Sequence, residues 1–215
     1  MEYDPSVHDR RSIRLAGYDY SLDGYYFVTV CVEGRDCIFG SVRDGEMELN
    51  EAGRLVLAAW EDLPAHYAHV GLDAFVVMPN HIHGIIVLRT IPTVGAGFKP
   101  APTDGAADGA GIVGAGLKPA PTTTPTKRHG LPEIVRALKT FSARRINEMR
   151  GTPGAKVWQR NYYEHIIRND RAWHQIRYYI AQNPVEWQND RENPVGAGLK
   201  PAPTPAPTKD EPWRV

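Results

Sequence analysis

Tyr25-Tyr26-Phe27-Val28-Thr29-Val30-Cys31-Val32 is a run of aromatic and β-branched residues, with turn residues at 17–24 before it and Gly34-Arg35-Asp36 after it. Such a run predicts a buried strand. Cys37 to Val42 and Met47 to Leu49, around Asp44-Gly45, predict a hairpin. From Glu51 to His66 the apolar period becomes helical, with Asn50 as N-cap. Leu55, Ala58, Ala59 and Leu63 fall on one face, with Val56 and Trp60 at its edge. Leu72 to Met78 and His81 to Arg89 are again strands, parted by Pro79-Asn80; proline suits a strand end, not a ladder interior.

Leu131 to Met149 predicts a helix with Pro132 in its first turn and Ile134, Leu138, Phe141 and Ile146 buried. Lys156 to Ile167 predicts a strand followed by a loop. Asn169 or Asp170 caps a last helix through Trp173, Ile176, Tyr179 and Ile180, which ends near Asn183 because Pro184 disfavours helix at the residue before it. The order strand, strand, helix, strand, strand, helix, strand, helix predicts an α+β fold. Its expected form is a ferredoxin-like antiparallel sheet with helices packed on one side. One domain, 1–190, is interrupted by a Pro/Gly/Ala/Thr-rich insertion at 91–129, and 191–215 forms a Pro-rich tail. Neither segment has enough apolar surface to offset its ordering entropy, so a flexible insertion and a disordered tail are expected.

A ten-residue phrase recurs in these two segments: Val94 to Thr103, Val113 to Thr122 and Val195 to Thr204, with Phe98 where the later copies have Leu117 and Leu199. The irregular spacing excludes a solenoid. Its codons can be written GTC GGG GCG GGT TTG AAA CCC GCC CCG AC plus any base, in which GTCGGGGCGGGTTT is the reverse complement of AAACCCGCCCCGAC. The Leu-to-Phe change then needs only the central base. A palindromic DNA element inserted three times, in two places where added residues do little harm, accounts for this. Codons in the gene unable to form hairpins would exclude it.

The 215 residues carry no net formal charge, yet from Lys127 to Arg177 twelve Lys or Arg face four acidic residues. That bias is a candidate polyanion footprint. No 18-residue apolar run and no signal-like N-terminus is present, and Cys31 and Cys37 make no disulfide framework, so a cytoplasmic protein without membrane contact is expected.

His81 and His83 flank Ile82, so on a strand both imidazoles face one way, roughly 6 to 7 Å apart along the sheet. Two such imidazoles supply two ligands for a divalent metal. Ile85 stands where a histidine-triad nucleotide hydrolase needs a third histidine. Tyr179 and Asn183 share a helical face, and so do Tyr178 and Gln182; spacing does not choose between the pairs. A phenol is a plausible nucleophile at phosphorus when a metal polarises the phosphate.

Val77-Met78-Pro79-Asn80-His81-Ile82-His83, Trp158-Gln159-Arg160-Asn161-Tyr162-Tyr163-Glu164-His165 and Tyr179-Ile180-Ala181-Gln182-Asn183-Pro184 stand together with Arg10-Arg11-Ser12-Ile13-Arg14-Leu15 and Gly17-Tyr18-Asp19-Tyr20. In combination they resemble the single-tyrosine HUH transposases, most closely the REP-associated tyrosine transposases, over roughly 8–90 and 130–187. The resemblance implies His81, His83 and Asn183 as ligands of Mg²⁺ or Mn²⁺ and Tyr179 as nucleophile. It implies cleavage of single-stranded DNA through a 5′-phosphotyrosine, on REP-type palindromic hairpins, by a monomer or homodimer. Lys139, Arg144, Arg145, Arg160 and Arg168 are then candidates to hold phosphates, with Arg10, Arg11 and Arg14 on the hairpin or its flank. Trp158, Tyr162 and Tyr163 are candidates for base stacking. The rival readings are a domesticated protein that binds such hairpins without cutting them, and a metal-dependent nucleotide hydrolase.

Overall fold

The computed structural model describes residues 15, 17–90, 128–190 and 192–194. The expected insertion at 91–129 lies almost wholly outside these residues, the expected tail at 191–215 largely so, and Arg10, Arg11 and Arg14 entirely so. The chain divides into two units, Met1–Thr90 with His129–Val215 and Ile91–Arg128; all that follows concerns the first.

Its elements are β1 (Gly24–Cys31), β2 (Gly40–Arg43), β3 (Glu46–Leu49), α1 (Glu51–Glu61), α2 (Leu63–His66), β4 (Val70–Val77), β5 (His81–Leu88), α3 (Leu131–Arg150), β6 (Tyr163–Ile167) and α4 (Asp170–Gln182). Two 3-10 turns lie at Glu33–Arg35 and Trp187–Asn189. Four strands form one antiparallel sheet in the order β4-β5-β1-β6. β2 and β3 make a separate hairpin, whose Asp44 (φ 51°) and Gly45 (φ 78°) supply the two left-handed residues of a tight turn. Setting that hairpin aside, the sheet has the ferredoxin-like order.

Both sheet faces are covered, which corrects the expectation of helices on one side. Tyr26, Val28, Val30, Ile82 and Ile86 form one core with Val56 and Trp60 of α1 and Ile134 and Leu138 of α3. Phe27, Ile85 and Val87 form a second with Ala172, Ile176 and Ile180 of α4. Every residue of β5 is buried, because β5 is an inner strand with helices on both faces. Full burial of each Ile, Leu or Val is worth about 1.5–3 kcal/mol, so β5 is a firm platform.

Local departures have local causes. Asn50 caps α1, its Oδ1 accepting from Gly53 N at 3.0 Å. The buried face of α1 is Ala52, Val56, Ala59 and Trp60, while Leu55 and Ala58 are only half-buried. The helix is rotated to let Trp60 stack on Phe75, at 4.3 Å between ring centroids, across Gly84. The helical run breaks at Asp62, ahead of Pro64, so 51–66 is two helices. Phe141, expected inside, is 45% exposed beside the His66 ring; Val135 is buried. The expected strand from Lys156 is a single bridge, Trp158 to Val32, and the strand comes later, at Tyr163–Ile167, where β1 offers its free edge.

Candidate functional site

The register of β1 on β5 sets Thr29 opposite His83 and Cys31 opposite His81. The imidazoles lie on the α4 face, and their Nε2 atoms are 3.0 Å apart. Both rings are buried. Asn80 donates through Nδ2 to the carbonyls of Arg35 (3.0 Å) and Glu192 (2.6 Å), so its Oδ1 is left to accept from His81 Nδ1 at 2.8 Å. That bond fixes the His81 tautomer and leaves the lone pair on Nε2. Thr29 Oγ1 meets His83 Nδ1 at 2.8 Å and can accept there, which frees the other ring nitrogen in the same way. Burial pushes the His81 pKa down, against the carboxylates of Asp190 and Glu192 and the Asn183 amide, which raise it. Burial thus favours the neutral ring, the form that binds metal.

Helix α4 carries Tyr179 and Asn183 to this pair. Asn169 caps it, accepting from Ala172 N at 2.8 Å. Asp73, at the bulge of β4, holds it from the side: it accepts from Trp173 Nε1 and pairs with Arg177 Nε at 3.3 Å. Tyr179 packs edge-on against Phe27, and its hydroxyl is 3.2 Å from His83 Nε2. Tyr178 is 69% exposed and points away from the core. Geometry thus separates two tyrosines that spacing left equivalent. Asn183 is the C-cap of α4, 2% exposed, and its Oδ1 has no hydrogen-bond partner.

An unexpected group joins them. Asp190, just past the Trp187–Asn189 turn, has Oδ2 4.0 Å from His81 Nε2. The donor atoms of His81, His83 and Asp190 lie within 4.8 Å of one another. Two donors about 2.1 Å from one cation are roughly 3.0 Å apart at a right angle and roughly 4.2 Å apart when opposite. The imidazole pair matches the first value and Asp190 is near the second. Two imidazoles and a carboxylate so placed fit a divalent cation. Asp190 could not be read from sequence, because it lies at the start of a Pro-rich stretch with no motif around it.

The expected DNA-contacting residues scatter. Trp158 is a correction: it is 7% exposed, donates from Nε1 to Ser142 Oγ at 2.9 Å and packs on Phe39, so its ring is closed to bases. Lys139 is half-turned inward, its Nζ donating to the carbonyls of Gln159 (2.6 Å) and Arg160 (2.9 Å), and burial lowers its pKa. Arg144 pairs with Glu148 and Arg145 with Asp62, each at 2.9 Å on the surface. Arg160 and Arg168 are exposed. Tyr162 and Tyr163 are half-buried, Tyr163 against Phe27 on the site face. No helix among the described residues is long and apolar enough to cross a membrane.

No family model matches the chain. A REP-associated tyrosine transposase solved with a REP hairpin is 18% identical, with a TM-score of 0.48 over 81% of this chain and 74% of that one. A Deinococcus radiodurans structure provisionally assigned as a transposase is 18% identical, with a TM-score of 0.40 over 78% of this chain and 94% of its own. At these values both are likenesses and carry no functional weight. An uncharacterized protein of Haemophilus influenzae is 37% identical over 193 residues, 88% of this chain and 96% of its own length. At that identity and coverage, the chain belongs to the same family as the Haemophilus influenzae protein.

Proposed function

We propose that this chain is a metal-dependent single-stranded DNA endonuclease and strand transferase that acts on REP-type palindromic hairpins. The observation that carries the reading is the Tyr179 hydroxyl, 3.2 Å from Nε2 of a buried histidine whose partner imidazole is 3.0 Å further on. His81, His83 and Asn183 would hold Mg²⁺ or Mn²⁺, which when bound supplies polarisation of the scissile phosphate. The Tyr179 oxygen forms a bond to phosphorus as the bond from phosphorus to the 3′ oxygen breaks. The phenol gives up its proton and the departing 3′ oxygen gains one, leaving a 5′-phosphotyrosine and a free 3′-hydroxyl. Attack by another 3′-hydroxyl on the phosphotyrosine reverses the step and joins a different end. Phe27 and Asp73 support this role by holding the phenol and its helix in place. All these groups come from one chain, which supports a site complete in a monomer. Arg160 and Arg168, both exposed, are candidates to hold phosphates. The setting proposed is the nucleoid of the cytoplasm.

The test is incubation of the protein with Mn²⁺ and a hairpin oligonucleotide carrying the palindrome written above plus a single-stranded flank. A covalent adduct on a denaturing gel is expected. Tight binding without an adduct would instead establish a non-cleaving hairpin-binding protein.

A further inference from the structure

The segment after α4 closes over the imidazole pair and is fastened there. Glu192 donates its N–H to Asp190 Oδ1 at 2.6 Å, and its own carbonyl accepts from Asn80 Nδ2 at 2.6 Å. Its carboxylate pairs with Arg35 Nε at 3.2 Å and accepts from Cys31 Sγ at 3.6 Å. Asn193 ties the turn shut, N–H to the Asp190 carbonyl at 3.0 Å and Nδ2 to the Trp187 carbonyl at 2.9 Å.

These bonds aim one carboxylate oxygen. Asp190 Oδ1 is taken by the Glu192 N–H, so Oδ2 is the atom left facing His81. Its side chain is only 8% exposed, and among the described residues neither Arg nor Lys is within ion-pair distance of it. Two imidazoles and a carboxylate around one divalent ion satisfy all three donors. Asn183, buried at the C-cap of α4, stands beside His81 from a different element.

We infer that Asp190 is a ligand of the cation held by His81 and His83, and that Glu192 is the residue that positions it. The ion then sits on two imidazoles and a carboxylate, with the segment beyond the tyrosine helix an integral part of the metal centre. Asn80 joins the two halves, since one side chain orients His81 and grips the Glu192 backbone. This rests on the metal-site reading above and on no property of the DNA substrate.

The experiment titrates Mn²⁺ into the full chain and follows loss of the free-ion electron paramagnetic resonance signal, with no DNA present. Wild type is expected to take up one ion. Asp190→Asn is expected to weaken uptake at least about tenfold, and Asp190→Glu to restore part of it. Glu192→Gln is expected to weaken it about tenfold, while Arg35→Lys, which keeps the pair, stays near wild type. Melting in EDTA checks folding, and Asp190→Ala serves if the Asn variant does not fold. Wild-type affinity in both folded Asp190 variants would overturn the inference and leave the histidine site standing. No uptake by wild type, equal to that of His81→Ala, would overturn both.

Discussion

The Tyr179 hydroxyl and His83 Nε2 are 3.2 Å apart although 96 residues separate them in sequence. Two further residues hold this contact: Phe27 against the Tyr179 ring and Thr29 against His83 Nδ1. Both lie on β1, so the central strand aligns the phenol and the imidazole together.

Tyr179→Phe should remove all covalent adduct with a hairpin oligonucleotide. The ring still packs on Phe27, so thermal stability should change by no more than about 1 kcal/mol. Tyr178→Phe should leave adduct yield near wild type, because that ring is largely in solvent. Loss of adduct in the Tyr178 variant alone would reverse the assignment.

The two cysteines report on the segment beyond α4. Burial chiefly, with Glu192 next, pushes the Cys31 thiol far above its ordinary range; Cys37 is raised less, by burial and then by Asp36. A raised thiol pKa leaves less of the nucleophilic thiolate at any given pH. At pH 8 iodoacetamide should therefore label Cys37 well before Cys31. Glu192→Ala removes the adjoining carboxylate and loosens the segment, so Cys31 labelling should accelerate; mass spectrometry of the alkylated peptides reads both rates.

Gly84 occupies a position that only a missing side chain permits. A Cβ there would lie 2.5 Å from Trp60 and 2.8 Å from Phe75. Gly84→Ala should cost about 1–3 kcal/mol by overpacking, measured by urea unfolding. Because residue 84 follows His83 on the same strand, Mn²⁺ affinity should fall as well.

Lys139 should behave as a structural residue. Lys139→Met strands the Gln159 and Arg160 carbonyls, and a loss of about 1–3 kcal/mol is expected. Under conditions where both proteins are fully folded, the salt dependence of hairpin binding should match wild type. A shallower salt slope would return Lys139 to the phosphate-binding set.

Some of this architecture was legible and some was not, for physical reasons. Strand alternation is a local rule, so the shared face of His81 and His83 could be read directly from two letters on either side of Ile82. The ferredoxin-like order followed from the element order. The covering of both faces did not follow, because a fully buried strand such as β5 has no alternation to betray a second layer. Spacing treated Tyr178 and Tyr179 alike; the resemblance implied Tyr179, and docking on Phe27 is what sets that ring beside His83. For Trp158 the sequence left base stacking and core packing both open; its burial depends on Phe39 and Ser142, which no local pattern ties to it. Asp190 was illegible because its place is set by Asn80 and Arg35, more than a hundred residues upstream.

β5 is buried along its whole length, and the groups that answer it arrive with α4 and the turn beyond. A ribosome making this chain releases the two histidines almost a hundred residues before the phenol. A nascent polypeptide that lacks α4 therefore carries the imidazole pair with no phenol beside it, and a product truncated before residue 179 should form no covalent adduct with a hairpin oligonucleotide.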